Sequence, residues 1–342
     1  MNPGTVRRHH PSIKTSNQTH PLLVKFTSRN DRIDGMRILP TMEGYVAHYS
    51  GHETFPLRQM WLKKAYNQAK NGGEVSKSTF SDDGAIAVFG VGKNMVAAIR
   101  HWALACEVIE DNGQGPYTIS PIADKIFSDD GLDPYAENPT TAWYAHWCLA
   151  GRGNRATTWY WLFNHVTAPA FSRDDLEKPL IDYARRLDSK RKLSGATISR
   201  DIETCLRGYA PRSAGGSPED FAEPLLGELG LIHEEYKGHF AFRRGPKATL
   251  SDGMFIFALL DFWENTAANL SSLPFETIAY GEGSPGRVFK LDEDSVAERL
   301  LALSGNTRGA LSWTDSAGLR QVHKKATLPL TLIDKMIELA YE

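Results

Sequence analysis

Hydrophobic and polar residues follow a helical period along much of the chain. Between Lys93 and Cys106, the apolar residues Met95, Ile99, Trp102 and Cys106 recur at steps of four, three and four. That spacing places them on one face of a helix, with polar side chains on the opposite face. The pattern therefore predicts an amphipathic helix with one side buried.

This helix belongs to a longer predicted order of elements. A short apolar helix is expected over Asp83–Phe89, and two glycines around Val91 make a turn before the longer helix. An Asn–Gly pair at 112–113 separates two apolar runs, which predicts a β-hairpin. Ser120 and Pro121 then predict a capped helix start. A winged helix-turn-helix has this order of helix, turn, helix and hairpin.

The same order is predicted a second time. Ser172 begins an amphipathic helix, Thr197–Tyr209 carries a second helical stripe, and a hairpin turns at Lys237–Gly238. Two aromatic-rich helices joined by the sequence GRGNR lie between the two units, and a capped apolar helix follows Ser251. The predicted fold is mainly α, with tandem winged-helix-like units, small β-hairpin wings and a C-terminal helical region.

These patterns divide the chain into five parts. The first forty residues are polar, basic and unpatterned, so we expect a disordered tail and a natural start near Met36 or Met42. The predicted parts are a disordered basic tail (1–42), an N-terminal winged-helix domain (43–135), an aromatic helical connector (136–171), a second winged-helix-like unit (172–250) and a C-terminal helical region (251–342).

Composition narrows the class of protein without fixing its activity. The 342 residues are 41% hydrophobic and 23% charged, with a net charge of −2, so any nucleic-acid surface must concentrate its cations locally. The three cysteines show no CxxC spacing and fit buried thiols in a reducing compartment. No membrane-length apolar run or signal peptide occurs, so we expect a soluble cytoplasmic protein.

The polar face of the helix from Lys93 is the first candidate for chemistry. It presents Lys93, Asn94, Arg100 and His101, together with the small residue Ala97. Cations bind phosphates, an amide reads base edges, and a small residue lets a backbone approach closely, so this face suits a DNA groove. A solvated surface helix or a protein-binding winged helix would show a similar face.

Other basic residues form shorter clusters that either contact phosphate or are solvated surface. In the second candidate helix, Arg200, Glu203 and Arg207 have the spacing of mutually paired side chains, which favours a structural role. Arg200 is nevertheless kept as a candidate DNA contact, and the further candidates are Arg152 and Arg155 in the GRGNR turn, Lys192 in SKRK, Arg243, Arg244 and Lys247 in FRRGPK, and Arg287 and Lys290 in YGEGSPGRVFKLDE.

The segment SGHETFPLR carries the first catalytic candidates. His52 and Glu53 are residue types that activate water or hold a divalent ion such as Mg²⁺, and Arg58 suits a phosphate. The alternative is structural: Glu53 and Thr54 cap a helix running from Leu57 to Ala69, with His52 and Arg58 in local hydrogen bonds. No ligand spacing such as HExxH supports a metal motif.

The Gly-rich segment YGEGSPGRVFKLDE is the second catalytic candidate. It contains Glu282, Arg287, Lys290 and Asp292, but it lacks the P-loop pattern and could equally be a rigid loop packed on the core. No GxSxG, GxGxxG or Walker motif occurs in the chain. An ordinary hydrolase, dehydrogenase or ATPase is therefore poorly supported.

Several long phrases together resemble one bacterial family. They are SGHETFPLR, GVGKNMVAAIRHW, DGLDPYAENPTTAWYAHWCLA, RATTWYWLFN, FRRGPK, YGEGSPGRVFKLDE and AGLRQVHKK. The resemblance runs from about Tyr49 to the C-terminus, and the family is domain of unknown function 4007, found in anti-phage gene clusters. The SspB component of single-strand DNA phosphorothioation systems looks like a member.

The resemblance implies a DNA-directed protein in modification-based defence, akin to a restriction–modification system. SspB-like proteins are described as DNA nickases, and a nick would open the backbone for sulfur incorporation. Implied partners are DNA, a PAPS-reductase-like sulfur-transfer protein and other phosphorothioation components; a homodimer is left open. A non-catalytic adaptor between DNA and the sulfur-transfer enzyme and a transcriptional regulator are the alternatives.

Overall fold

The protein is mainly α-helical with small antiparallel sheets. The computed structural model describes residues 1, 32–33, 36–69, 73–190, 193–210, 224–316 and 318–342. Its helices are α1 (Trp61–Tyr66), α2 (Ala85–Phe89), α3 (Lys93–Ala105), α4 (Pro121–Phe127), α5 (Pro139–His146), α6 (Thr157–His165), α7 (Arg173–Leu187), α8 (Gly195–Tyr209), α9 (Asp252–Ala267), α10 (Phe275–Tyr280), α11 (Pro285–Val288), α12 (Glu293–Leu301), α13 (Leu303–Asn306) and α14 (Leu332–Ala340).

The strands are short and antiparallel. They are β1 (Arg32–Ile33), β2 (Met36–Arg37), β3 (Glu74–Val75), β4 (Ile109–Asp111), β5 (Tyr117–Ile119), β6 (Ala170–Ser172), β7 (Ile232–Tyr236), β8 (His239–Phe242), β9 (Ser272–Pro274), β10 (Leu311–Ser316) and β11 (Leu319–Lys324). A π-helical turn, Trp147–Gly151, continues α5. No helix among the described residues is both long and apolar enough to cross a membrane.

Three of the sheets have the same strand order. Their orders are β3–β5–β4, β6–β8–β7 and β9–β11–β10, so the second strand of each hairpin always lies in the centre. In each case a helix precedes the first strand, and further helices separate that strand from the hairpin. The two predicted hairpins, β4–β5 and β7–β8, are confirmed.

The third sheet corrects the prediction of a purely helical C-terminal region. Strands β10 and β11 pair along their full length, with Trp313 opposite Val322. Only Leu311 and Val322 of the hairpin are buried, and the other described side chains are at least partly exposed. Such a polar hairpin has too little alternation to be recognised from sequence.

Local capping rules located several helix starts correctly. The hydroxyls of Ser120, Ser172 and Ser251 each accept a hydrogen bond from a backbone N–H in the first turn of the helix that follows. Such side-chain caps satisfy amide groups that have no partner within the helix. The predicted capped starts of α4, α7 and α9 are therefore confirmed.

The predicted helix from Leu57 is wrong at its start. Helix α1 begins only at Trp61, and no side chain caps it. Instead, Arg58 forms an isolated β-bridge with Pro224, and the amide of Leu225 donates to the Leu57 carbonyl over 2.9 Å. The chain before α1 is therefore tied to a distant segment in an extended conformation, which a local pattern does not reveal.

A buried ion network joins distant parts of the chain. Arg152, only 1% exposed, has its Nη1 2.6 Å from Glu107 Oε2 and its Nε 2.8 Å from Asp261 Oδ2. The indole of Trp147 also donates to Asp261 over 2.8 Å. Buried charges persist only when they are paired and hydrogen-bonded. This network therefore holds the GRGNR turn and Glu107, which lies just before β4, against α9.

Candidate nucleic-acid interface

The segment 50–58, here called the His–Glu loop, lies where three helices meet. His52 Nε2 is 2.5 Å from Asp201 Oδ1 on α8, and the Thr158 hydroxyl of α6 donates to the other oxygen of Asp201. From α3, Trp102 donates its indole N–H to the Phe55 carbonyl over 3.0 Å. The loop thus connects the first and second units of the fold.

His52 is held in one orientation by both ring nitrogens. Its Nδ1 accepts the backbone N–H of Thr54 over 3.0 Å, so the proton on Nε2 faces the carboxylate of Asp201. Only 3% of His52 is exposed. His52 therefore has a structural role, and neither of its ring nitrogens is free to activate water.

The backbone after His52 is unusual in conformation. Glu53 and Thr54 have φ angles of 49° and 64°, in the left-handed region that most residues avoid. Both side chains are exposed, and neither caps α1. Among the predicted catalytic residues of this loop, Glu53 is exposed, whereas His52 is buried and Arg58 is half-buried.

Gly51 allows the loop to pack on α3. Its φ is +109°, and a Cβ at this position would lie 2.7 Å from Nδ1 of His101. His101 is 9% exposed, and its Nε2 has no hydrogen-bond partner among the described residues. Its prediction as a DNA contact is corrected because the side chain faces the interior.

Several basic groups converge around His101. Burial lowers the pKa of His101 well below its ordinary value, and the nearby groups His52, Arg155, His48 and Arg100 lower this pKa further, in that order. We call these five residues the basic cluster. Arg100 and Arg155 are half-buried, so their charged groups remain accessible from solvent.

The predicted DNA contacts of the first unit lie in or beside the basic cluster, although they come from separate sequence segments. Lys93 and Asn94 are exposed at the start of α3, Arg100 lies near its end, and Arg155 comes from the GRGNR turn. Arg155 also lies close enough to Asp111 of β4 to help lower the pKa of that carboxyl. The arrangement can hold an anion with permanent positive charge at the edge of the first unit.

Other predicted contacts are distributed differently. Arg200, Arg243 and Arg244 are exposed, whereas Lys192 lies outside the described residues. Arg58 is half-buried and its guanidinium lies 5.2 Å from the centre of the Trp61 ring, which favours packing over phosphate binding.

Two predicted DNA contacts are buried and have structural roles. Arg152 belongs to the ion network, and Lys290, 1% exposed, donates to the Phe163 carbonyl over 2.7 Å. The ammonium of Lys290 lies 4.0 Å from the centre of the Phe242 ring, and burial lowers its pKa well below the ordinary value. Neither side chain can reach DNA in the folded protein.

Lys247 and Asp292 of the remaining clusters contribute mainly local hydrogen bonds. Lys247 donates to the carbonyls of Arg243 and Gly245 over 3.0 and 2.9 Å. Asp292 accepts the Ser295 amide over 2.9 Å as the N-cap of α12. The described hydrogen bonds of Lys247 and Asp292 therefore stabilise the local backbone.

The Gly-rich segment brings Glu282 beside a residue absent from the predicted sites. His165, the last residue of α6, has its Nε2 2.8 Å from Glu282 Oε1. Arg287 donates from Nη1 to the Asn164 carbonyl over 2.7 Å. His165 occurs in an aromatic helix with no recognised motif, which is why sequence reasoning missed it.

The residues at the His–Glu loop do not fit a metal centre. Three or four ligands normally converge on a bound ion, and Mg²⁺ prefers oxygen ligands. Within the described ranges no group of three His, Cys, Asp or Glu side chains is arranged to hold a metal. His52 and Asp201 are committed to each other, so only the Glu53 carboxylate is open.

Comparison with known proteins adds a family and two solved structures. A family model described as "Protein of unknown function (DUF4007)" matches residues 49–341. The structure titled "Magnesium ion-bound SspB crystal structure" is 26% identical, with a TM-score of 0.76, over 86% of this chain and 88% of that one. A second, "SspB crystal structure", has a TM-score of 0.75 at the same identity and coverage. A search of curated proteins gave no match.

Proposed function

The chain belongs to the DUF4007 family, and from this premise we propose that it is the DNA-binding component of a phosphorothioation-type defence system that nicks one strand. Similarity to SspB over most of both chains supports the proposal that this protein belongs to a phosphorothioation system. In this proposal the nick opens the backbone for sulfur incorporation. A PAPS-reductase-like sulfur-transfer protein is the expected partner.

The observation that supports DNA binding is that Arg100 and Arg155 both lie close to His101 of α3. Lys93 and Asn94 are exposed at the start of the same helix. The winged helix predicted around α3 supports this proposal, since in such units the second helix of the pair enters the major groove. We propose that α3 docks on DNA, with Arg100 and Arg155 contacting phosphates.

Charge reversal on α3 tests this proposal. Arg100→Glu should weaken binding of duplex DNA by about tenfold or more at low salt, because a phosphate contact becomes a repulsion. Lys335→Glu, on an exposed position of α14, makes the same change in charge away from the cluster and serves as the control. Binding measured by fluorescence anisotropy that is equally affected in both variants would refute docking through α3.

Nicking is tested on supercoiled plasmid with and without Mg²⁺. Conversion to the open circle by the purified protein is the expected result, and Glu53→Ala tests the exposed carboxylate of the His–Glu loop. Unchanged nicking by that variant would remove Glu53 from the catalytic candidates.

A non-catalytic adaptor is the second candidate function. The closed hydrogen bonding of His52 favours it, since this residue has no nitrogen left for catalysis. An adaptor binds DNA and the sulfur-transfer enzyme but leaves plasmid uncut in both metal conditions. The plasmid assay therefore separates the two functions.

A further inference from the structure

His165 and Glu282 form an accessible acid–base pair outside the basic cluster. Their Nε2 and Oε1 atoms are 2.8 Å apart, and the two side chains are 30% and 33% exposed. The Nε2 atom is buried and faces the Glu282 carboxylate as an ion-pair contact, without an aligned hydrogen bond among the described residues, so the exposed part of His165 is the remainder of its side chain. This differs from His52, whose two nitrogens are both occupied inside the protein.

The loop that carries Glu282 is built to hold it in place. The Gly283 amide donates to the buried Asn164 side chain over 2.7 Å, and Asn164 also donates to the Ala150 carbonyl over 2.9 Å. Gly283 has a φ of +76°, and a Cβ there would be 3.7 Å from the Tyr160 hydroxyl. Glycine is therefore favoured, and the loop is fixed against α6 and the GRGNR turn.

The surroundings keep the carboxylate of Glu282 ionised. Burial alone would raise its pKa, but the contact with His165, the hydroxyl of Tyr160 and the charge of Arg287 together hold the pKa below its ordinary value. The Tyr160 hydroxyl lies 3.1 Å from Oε1. The ring of Tyr183 packs against the ring of His165, with 4.8 Å between the ring centres.

Resting on the proposed nicking function, we propose that His165 is the general base for hydrolysis of a DNA phosphodiester and that Glu282 is its positioning residue. Because Nε2 is buried against a carboxylate, Nδ1 is the ring nitrogen that we assign as the proton acceptor. Gly283, the neighbour of Glu282, lies against the first residue of the GRGNR turn, because a Cβ at this position would be 3.6 Å from the Gly151 carbonyl.

The chemical step needs only water as co-reactant. The water oxygen forms a bond to phosphorus while one of its protons passes to Nδ1 of His165. The bond from phosphorus to the leaving ester oxygen breaks, and that oxygen takes its electron pair and a proton from solvent. The imidazolium that forms is stabilised by the Glu282 carboxylate.

Two variants test the pair on the plasmid assay. His165→Gln should lower the nicking rate by about 100-fold or more, the usual contribution of a general base. Glu282→Gln should lower kcat by a smaller factor and leave KM for the plasmid unchanged, because the amide still contacts the ring but no longer stabilises the imidazolium. The groups facing this pair are Tyr45, Tyr160, Tyr183, Arg186 and Arg287, and all remain in both variants.

His323→Gln, on the partly exposed face of β11, is the matched control and should nick at the wild-type rate. DNA affinity should stay within about twofold in all three variants, which separates chemistry from binding and folding. Wild-type protein that leaves plasmid uncut overturns nicking and the base together. Wild-type nicking with an unaffected His165→Gln variant, or with an unchanged kcat in Glu282→Gln, overturns the pair alone.

Discussion

Gly51 shows how one residue sets the geometry of the His–Glu loop. Its left-handed φ and the 2.7 Å approach to His101 leave no room for a side chain. The neighbouring loop residues then reach the partners that fix His52. The His–Glu loop therefore packs closely against α3 at Gly51, where only glycine fits beside His101.

Replacing Gly51 by alanine tests that close packing. Gly51→Ala should lower the free energy of unfolding by about 1–3 kcal/mol, because the new methyl group adds backbone strain and displaces the His101 ring. Gly84→Ala is the matched control, since nothing lies within 4 Å of its Cβ position and its φ is an ordinary −74°. Urea denaturation measures both variants, and equal losses would contradict the proposed close packing.

The sequence predicts a catalytic role for His52, whereas the structure shows it buried and hydrogen-bonded at both ring nitrogens. Its partner Asp201 lies 149 positions away on the inner stripe of α8, between Ile198 and Cys205. A buried acid on an apolar helix face is a sequence signal for an internal partner. Only the folded chain shows which residue that partner is.

Helix caps were predicted well because their hydrogen bonds are local. Ser120, Ser172 and Ser251 act within three residues of their own position. The start of α1 and the β10–β11 hairpin depend on contacts with distant segments, and local periodicity carries little information about them. Asp292, a catalytic candidate in sequence, likewise proved to be the cap of α12.

The Asp292 cap makes α12 sensitive to acid. Hydrogen bonds from the Ser295 side chain and amide hold the pKa of Asp292 below its ordinary value. Because the folded-state pKa is the lower one, its stabilisation is complete above the unfolded pKa and is lost as pH falls through the folded pKa. Asp292→Asn keeps a capping oxygen without the charge.

Urea denaturation of wild type and Asp292→Asn should therefore differ most near neutral pH. The difference should begin to shrink as pH falls below about 4, the ordinary pKa of an aspartate in the unfolded chain, and should disappear as pH falls through the lower folded-state pKa. Asp292→Ala, which removes the cap altogether, should cost about 1 kcal/mol at neutral pH. A wild-type advantage over Asn that stays constant from pH 7 to pH 3 would contradict the charged cap.

At the scale of the molecule, three units share a strand order but differ in charge. Helix α3 of the first unit exposes Lys93 and Asn94, whereas Glu203 of α8 lies 3.7 Å from Arg173. Helix α12 of the third exposes Glu293 and Asp294. We therefore propose DNA binding for the first unit only, since repetition of topology does not imply repetition of function.

The Arg152 network is expected to contribute strongly to the stability of the folded protein. Arg152→Met should lower the free energy of unfolding by about 3–5 kcal/mol, since Glu107 and Asp261 lose their buried counter-charge. Arg185→Met, at a side chain 72% exposed on α7, should change it by less than about 1 kcal/mol. Thermal or urea unfolding distinguishes the two, and a mild effect of Arg152→Met would show that the network relaxes.

The position of Arg152 also limits how the protein can be dissected. The repeated units invite expression of separate fragments for crystallisation or fusion. Any fragment that stops between residues 152 and 261 retains the guanidinium and discards the carboxylate that two of its nitrogens contact. Such truncations should precipitate unless Arg152 is replaced as well, so the chain is best engineered by substitution within its full length.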